Sequence, residues 1–77
     1  MTILLFAHAT DLAGAKVVDL APTPTVGELR RVLARQVPAL AALLPRCRIA
    51  VNQDFADDDT PLSPSDEIAV IPPVSGG

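Results

Sequence analysis

Hydrophobic and polar positions alternate in blocks that predict short strands around a single main helix. Ile3-Leu4-Leu5-Phe6 is an almost wholly apolar run of strand length, as a central strand of a sheet requires. A polar stretch with His8, Thr10 and Asp11 follows, punctuated by Gly14. Strand-like patterning resumes at Lys16-Val17-Val18-Asp19-Leu20, so the pair predicts an N-terminal hairpin with a long loop. Pro22 and Pro24 break the chain, after which Thr25 and Glu28 form a capping-box pair that predicts a helix starting at Val26. Val26, Leu29, Val32, Leu33 and Val37 share one arc at 3.6 residues per turn, with Arg30, Arg31 and Arg35 on the opposite, solvated side. Pro38 ends or bends this helix, because an interior proline removes a backbone donor and clashes with the preceding turn. Ala39 to Leu44 reads as a second short helical turn stopped by Pro45.

Arg48-Ile49-Ala50-Val51 alternates as a strand and turns at Asn52-Gln53 toward a short partner strand holding Phe55. Ser63-Pro64-Ser65-Asp66 is a turn that delivers the chain into a last strand, Glu67-Ile68-Ala69-Val70-Ile71. The single helix needs one sheet face on which to bury its apolar arc, which predicts a two-layer α+β domain over residues 1–71 with a mixed sheet of four to five strands. Period-two alternation sends Ile3, Leu5, Ile68 and Val70 toward the helix and Leu4, Phe6, Ala69 and Ile71 to the other face. Nothing else in the pattern covers that second face. Phe6, Phe55 and Ile71 would form an apolar patch there, of the kind that marks an interface. The alternative is that Phe55 merely folds over the sheet edge.

Composition narrows the function classes. A chain of 77 residues buries only about 60–65% of the surface its unfolded form exposes, which leaves little room for a deep catalytic cleft. Hydrophobic residues make up 49% and charged residues 19%, a balance that folds around a core. The net charge of −3 opposes a phosphate backbone as the main partner, and Arg30, Arg31 and Arg35 are too few to reverse it, so no nucleic-acid partner is expected. Cys47 is the lone cysteine, which fits a reducing compartment, and the opening residues have neither a basic leader nor an apolar run long enough to span a membrane. A cytoplasmic protein without a membrane partner is the expectation. Cys47 with His8 would be a conceivable nucleophile and base, but a small buried hydrophobe is the plainer reading of that cysteine. No metal site is expected, since one histidine and one cysteine cannot supply four structural zinc ligands. Asp57-Asp58-Asp59 could meet a hard cation or a basic partner, although charge runs are usually solvated loops.

The last strand runs into Pro72-Pro73-Val74-Ser75-Gly76-Gly77. Proline holds the preceding backbone extended, while glycine lets a chain enter a slot too narrow for side chains. Residues 72–77 therefore read as a flexible tail built for insertion, against the alternative of a frayed terminus.

Leu5-Phe6-Ala7 with Gly14, Val51-Asn52-Gln53, and Asp66-Glu67 leading to the PPVSGG ending together resemble the small subunits of molybdopterin synthase, ubiquitin-like β-grasp sulfur carriers of the MoaD/ThiS family. Two departures stand out: Thr10-Asp11 replaces the Arg-Glu often found in the first loop, and Ser65 replaces the glycine often found before the Asp-Glu pair. The resemblance implies that an E1-like, ATP-dependent enzyme adenylates Gly77, that a sulfur donor protein converts it to a thiocarboxylate, and that Gly76 gives the tail passage. It also implies a heterotetramer with the large subunit, contacted through Phe6, Phe55, Ile71, Pro72, Pro73, Val74 and Ser75. The chain itself would bind no cofactor and would be a non-catalytic carrier within a sulfurtransferase complex. Gly-Gly endings also occur in the thiamine-pathway sulfur carrier and in ubiquitin-like modifiers conjugated to lysines, so those readings stay open.

Overall fold

The order of elements follows from where apolar pairs and turn residues fall. The computed structural model describes residues 1–73, and the expectations placed on Val74, Ser75, Gly76 and Gly77 lie outside the described residues. Among the described residues the strands are β1 (Thr2–Leu5), β2 (Val17–Asp19), β3 (Arg48–Val51), β4 (Asp54–Ala56) and β5 (Ile68–Ile71), with helices α1 (His8–Ala13) and α2 (Val26–Gln36). Turns of 3₁₀ helix cover Pro38–Leu40 and Leu44–Arg46. The strands form one mixed sheet in the order β2-β1-β5-β3-β4, with β1 parallel to β5 and every other pair antiparallel.

Helix α2 supplies the second layer. Val26, Leu29 and Leu33 are fully buried against Ile3, Ile49, Ile68 and Val70 of the sheet. Each such side chain contributes about 1.5–3 kcal/mol relative to exposure. Thr25 caps the helix as the sequence indicates, its hydroxyl accepting from the Glu28 N–H at 3.3 Å. The reciprocal half of the capping box is replaced, because the Glu28 carboxylate pairs with Arg31. Two further N–H groups of the first turn, from Val26 and Gly27, donate to the carbonyls of Thr60 and Asp58 at 3.1 and 2.9 Å. A Cβ at Gly27 would stand 3.3 Å from the Asp58 carbonyl oxygen, so glycine there lets the two segments approach. The exposed acidic run thus acts through its backbone, as a partner for the helix start.

Three expectations are corrected. The stretch after β1 is not a long loop but the six-residue helix α1, stopped by Gly14 in the left-handed region at φ 70°. Its Ala9 is buried and Ala13 packs on the core, a four-residue spacing too short and too small-sided to stand out as a periodic signal. Pro45 does not stop a helical turn; it sits inside the second 3₁₀ turn, where its missing N–H costs nothing. Arg30 is not on a freely solvated face. Its side chain is only 20% exposed, with Nε 2.8 Å from Asp58 and a second nitrogen on the Leu44 carbonyl. It ties α2 to both the acidic run and the second 3₁₀ turn.

At the other end of the sheet, the β3–β4 hairpin turns on Asn52 and Gln53, both at positive φ, as a two-residue hairpin loop requires. Asn52 also braces the approach to β5. Its side chain donates to Asp66 at 3.0 Å and accepts from the Glu67 N–H at 2.9 Å, while Asp66 accepts from the Ser63 N–H at 2.7 Å. The Ser63 N–H and then the Asn52 amide hold the Asp66 carboxyl below its ordinary value. A depressed folded pKa contributes stability that is present above the unfolded value, near 3.8, and is lost as pH falls through the folded one. We therefore expect the stability difference between the wild type and Asp66→Ala to be constant near neutral pH and to shrink below about pH 4, as measured by urea unfolding across pH.

Candidate functional site

The sheet face away from α2 is built from small and apolar side chains in register. Val17, Leu4, Ala69, Ala50 and Phe55 are successive cross-strand partners from one edge of the sheet to the other. Phe55 and Val17, on the two edge strands, are 55% and 51% exposed, whereas Ala50 is buried beneath its neighbours. One step nearer the C-terminal end of β5, Ile71 is half-buried and stands opposite Arg48. Phe6, just past β1 and 48% exposed, continues the alternation beside it. The expected apolar patch is thus a continuous face, but Phe6 and Phe55 are not neighbours in it. With β5 and β3 lying between their strands, they are separated by roughly 14 Å at the usual spacing between strands. Phe55 does not fold over the edge alone, because the Arg48 guanidinium lies over its ring, 3.7 Å from the centroid.

The tail leaves from the middle of this face. β5 lies between β1 and β3, and Pro72, directly after it, is buried while Pro73 is exposed. Pro72 therefore packs against the domain at the end of β5. Beside Phe6 a groove of about 540 Å³ opens, with Leu4 and Val17 on its apolar side and Asp11 and Lys16 on its polar side. A second hollow of about 610 Å³ lies on the helix side, bordered by Arg31, Glu28 and Asp58.

The residue that turns the chain between β1 and α1 is Ala7, at φ 50° and ψ −127°, a conformation that favours glycine. It follows Phe6 directly, and the Phe6 carbonyl accepts from the Ala9 N–H at 3.1 Å. Strain of this kind persists where the surroundings over-determine the backbone. Here the strained turn fixes where the Phe6 ring leaves the sheet.

The other candidates separate from this site. Cys47 is buried, its thiol donating to the Leu43 carbonyl at 3.4 Å, and burial pushes its pKa up against the opposing charges of Arg30 and Arg46. A neutral, enclosed thiol is a poor nucleophile. His8 is exposed at the start of α1. Asp57, Asp58 and Asp59 are exposed, and among the described residues no cluster of three or more His, Cys, Asp or Glu could hold a metal ion. No helix of the described residues is long and apolar enough to cross a membrane. Sequence reasoning passed over Arg48 and Ala50 as site residues, although the alternation of Arg48-Ile49-Ala50-Val51 places both on the uncovered face.

The profile of the ThiS family matches residues 3–77, almost the whole length. The chain belongs to the ThiS family. It is 38% identical to the molybdopterin synthase sulfur carrier subunit of Escherichia coli (strain K12), over 97% of this chain and 96% of that relative. Among solved structures it resembles the small archaeal modifier protein 1 of Methanosarcina acetivorans, with a TM-score of 0.87 at 26% identity over 99% of this chain and 94% of the other. It also resembles a chain in the complex of subunits 1 and 2 of molybdopterin-converting factor from Helicobacter pylori 26695, with a TM-score of 0.71 at 28% identity over 99% and 96%. The ubiquitin-like β-grasp expected from the resemblance is the observed fold, a mixed five-stranded sheet with one main helix among the described residues. For this ThiS-family chain, glycine at position 7 should remove the strain at the turn. We expect Ala7→Gly to raise stability by about 1 kcal/mol, the relieved strain exceeding the entropy glycine loses on folding, as measured by chemical denaturation.

Proposed function

We propose that this protein is the sulfur-carrier subunit of a molybdopterin synthase and that Gly77 carries the sulfur. The observation that carries this reading is the full-length similarity to relatives named as such subunits, in bacteria and eukaryotes alike. The uncovered sheet face running into the PPVSGG tail supports it, because a carrier must dock and present its terminus at once.

The chemistry starts from a carboxylate, whose delocalised charge and oxide leaving group make it a poor acceptor for sulfur. An E1-like partner therefore activates Gly77 with ATP, forming an acyl adenylate and releasing pyrophosphate. A sulfur donor protein then delivers sulfur at the sulfide level, which attacks the acyl carbon and displaces AMP. The resulting thiocarboxylate enters the large subunit, where its sulfur bonds to the cyclic pyranopterin monophosphate precursor and water then cleaves the acyl–sulfur bond, returning Gly77 to a carboxylate. Two such transfers make the dithiolene that later holds molybdenum. The demands on this chain are reach and access: Gly76 passes without a side chain, and Pro72-Pro73 directs the backbone away from the sheet. Acid–base catalysis, ATP binding and pterin recognition fall to the partners. Phe6, Ile71 and Phe55 dock the large subunit.

A second reading has its own support in the likeness to small archaeal modifier proteins, namely conjugation of Gly77 to lysines of other proteins. A sulfur carrier of another pathway, such as that of thiamine, is the third. Intact mass of the protein isolated from its host separates the first two. A species in which sulfur replaces one terminal oxygen is expected, and lysine adducts ending in this tail would favour the modifier. Copurification with a large subunit separates molybdopterin synthesis from other sulfur pathways.

Removal of Gly76-Gly77, or a bulky residue in place of Gly77, is expected to abolish sulfur loading while leaving thermal unfolding unchanged, since no core residue is touched. Sulfur loading that survives the deletion would rule out the carrier reading. Phe6→Asp or Ile71→Asp should weaken association with the large subunit by about 2–4 kcal/mol, the usual loss at a central interface anchor, in calorimetric titration.

A further inference from the structure

The outer sheet face carries an arginine at the end from which the tail leaves. Arg48 stands opposite Ile71 in the β3–β5 ladder, two residues along β3 from Ala50, and its guanidinium covers the Phe55 ring. The side chain is exposed, and among the described residues it makes no ion pair and no hydrogen bond. Asp57, the next residue past β4, is exposed and does not pair with it. The other arginines of known pairing are used inside the fold, Arg30 with Asp58 and Arg31 with Glu28.

A surface that covers Phe55, Ile71 and Ala50 must also strip water from that guanidinium. Five N–H donors enclosed in an apolar field without an acceptor are costly, and the planar fork is best satisfied by a carboxylate held in two hydrogen bonds. We infer that the protein surface docking on this face presents an Asp or Glu side chain opposite Arg48, set among apolar residues, and that Arg48 is the specificity-determining contact for that partner. The inference rests on the reading above, in which the large subunit covers this face. Charge placement adds direction. Asp54, Asp66 and Glu67 lie at the end of the sheet remote from the tail, whereas Arg46 and Arg48 lie at the end from which the tail leaves, with Asp57 their acidic neighbour past β4. With a net charge of −3, the chain repels acidic surfaces in general, so only a carboxylate delivered locally to the Arg48 end is attracted. One docking orientation is thereby favoured, with the partner's acidic side chain beside the tail exit.

The test is calorimetric titration of the purified large subunit with wild type, Arg48→Gln, Arg48→Leu and Arg48→Glu, at low and high salt, with Arg35→Glu on the helix side as control. Circular dichroism confirms that the variants fold. We expect Arg48→Gln and Arg48→Leu to bind about thirtyfold more weakly or worse, the loss typical of removing one member of a buried charge pair. Arg48→Glu should lose still more, and Arg35→Glu should match wild type. Replacing the partner's acidic residue by lysine should restore binding to Arg48→Glu. Arg48→Leu binding as tightly as wild type, while wild type binds the large subunit, overturns this inference and leaves the functional reading intact. Wild type that does not bind the large subunit overturns both. Self-association of the wild type that is lost in Arg48→Glu would place a second copy on the face and also overturn it.

Discussion

One main helix over a five-stranded sheet leaves the other sheet face without a layer among the described residues, and the rest of the structure is arranged around that imbalance. Val26, Leu29 and Leu33 of α2 close the core on one side with Ile3, Ile49, Ile68 and Val70. On the other side the central strands carry Ala50 and Ala69, which expose little even without a cover. Apart from Leu4, the larger apolar groups lie on the edge strands and at the ends of the central ones, where they border solvent. A monomer tolerates such a surface when it is shallow and broken by small residues. The same features make it a flat platform for another protein.

Because so small a core has little stability to spare, the loops are held by specific bonds rather than by bulk burial. The segment from Asp57 to Leu62 is stitched to the start of α2 through the carbonyls of Asp58 and Thr60, with the Leu62 N–H donating to Pro24. Arg30 adds a side-chain brace from mid-helix to Asp58 and Leu44. Asn52 and Asp66 do the same work at the opposite end. In each case a polar residue that looks solvated in the sequence satisfies backbone groups that a short connection would otherwise leave unpaired.

The strands and α2 were legible because each buries one face and repeats its own period. Ile68-Ala69-Val70-Ile71 alternates buried and half-buried along its length, and α2 is bracketed by Thr25 and Pro38. Helix α1 was not legible, since it has six residues, no side-chain cap and a single buried residue, Ala9. Arg30 was misplaced because residue type suggests water, whereas its stem is covered and its head finds two acceptors. Within the site, Phe6, Ile71 and Phe55 were found by size and alternation. Ala50 and Arg48 went unnoticed there, because an alanine carries little signal of its own and an arginine reads as surface until the register places it opposite Ile71.

The register also ties the two working parts of the molecule together. β5 contributes Ala69 and Ile71 to the proposed docking face and then continues into the tail, with Pro72 buried at the junction. A partner seated on the face therefore meets the tail at a fixed origin in the middle of the sheet. From Ile71 to Gly77 the chain has six residues, which reach at most about 20 Å when extended. Any slot that receives Gly77 must open within that distance of the face. Ordering those residues would cost about 1–2 kcal/mol each in backbone entropy, less where proline has already restricted the chain. Side-chain contacts of two terminal glycines cannot offset that cost, so in the proposed carrier role the sheet face would have to supply the affinity and the tail the access.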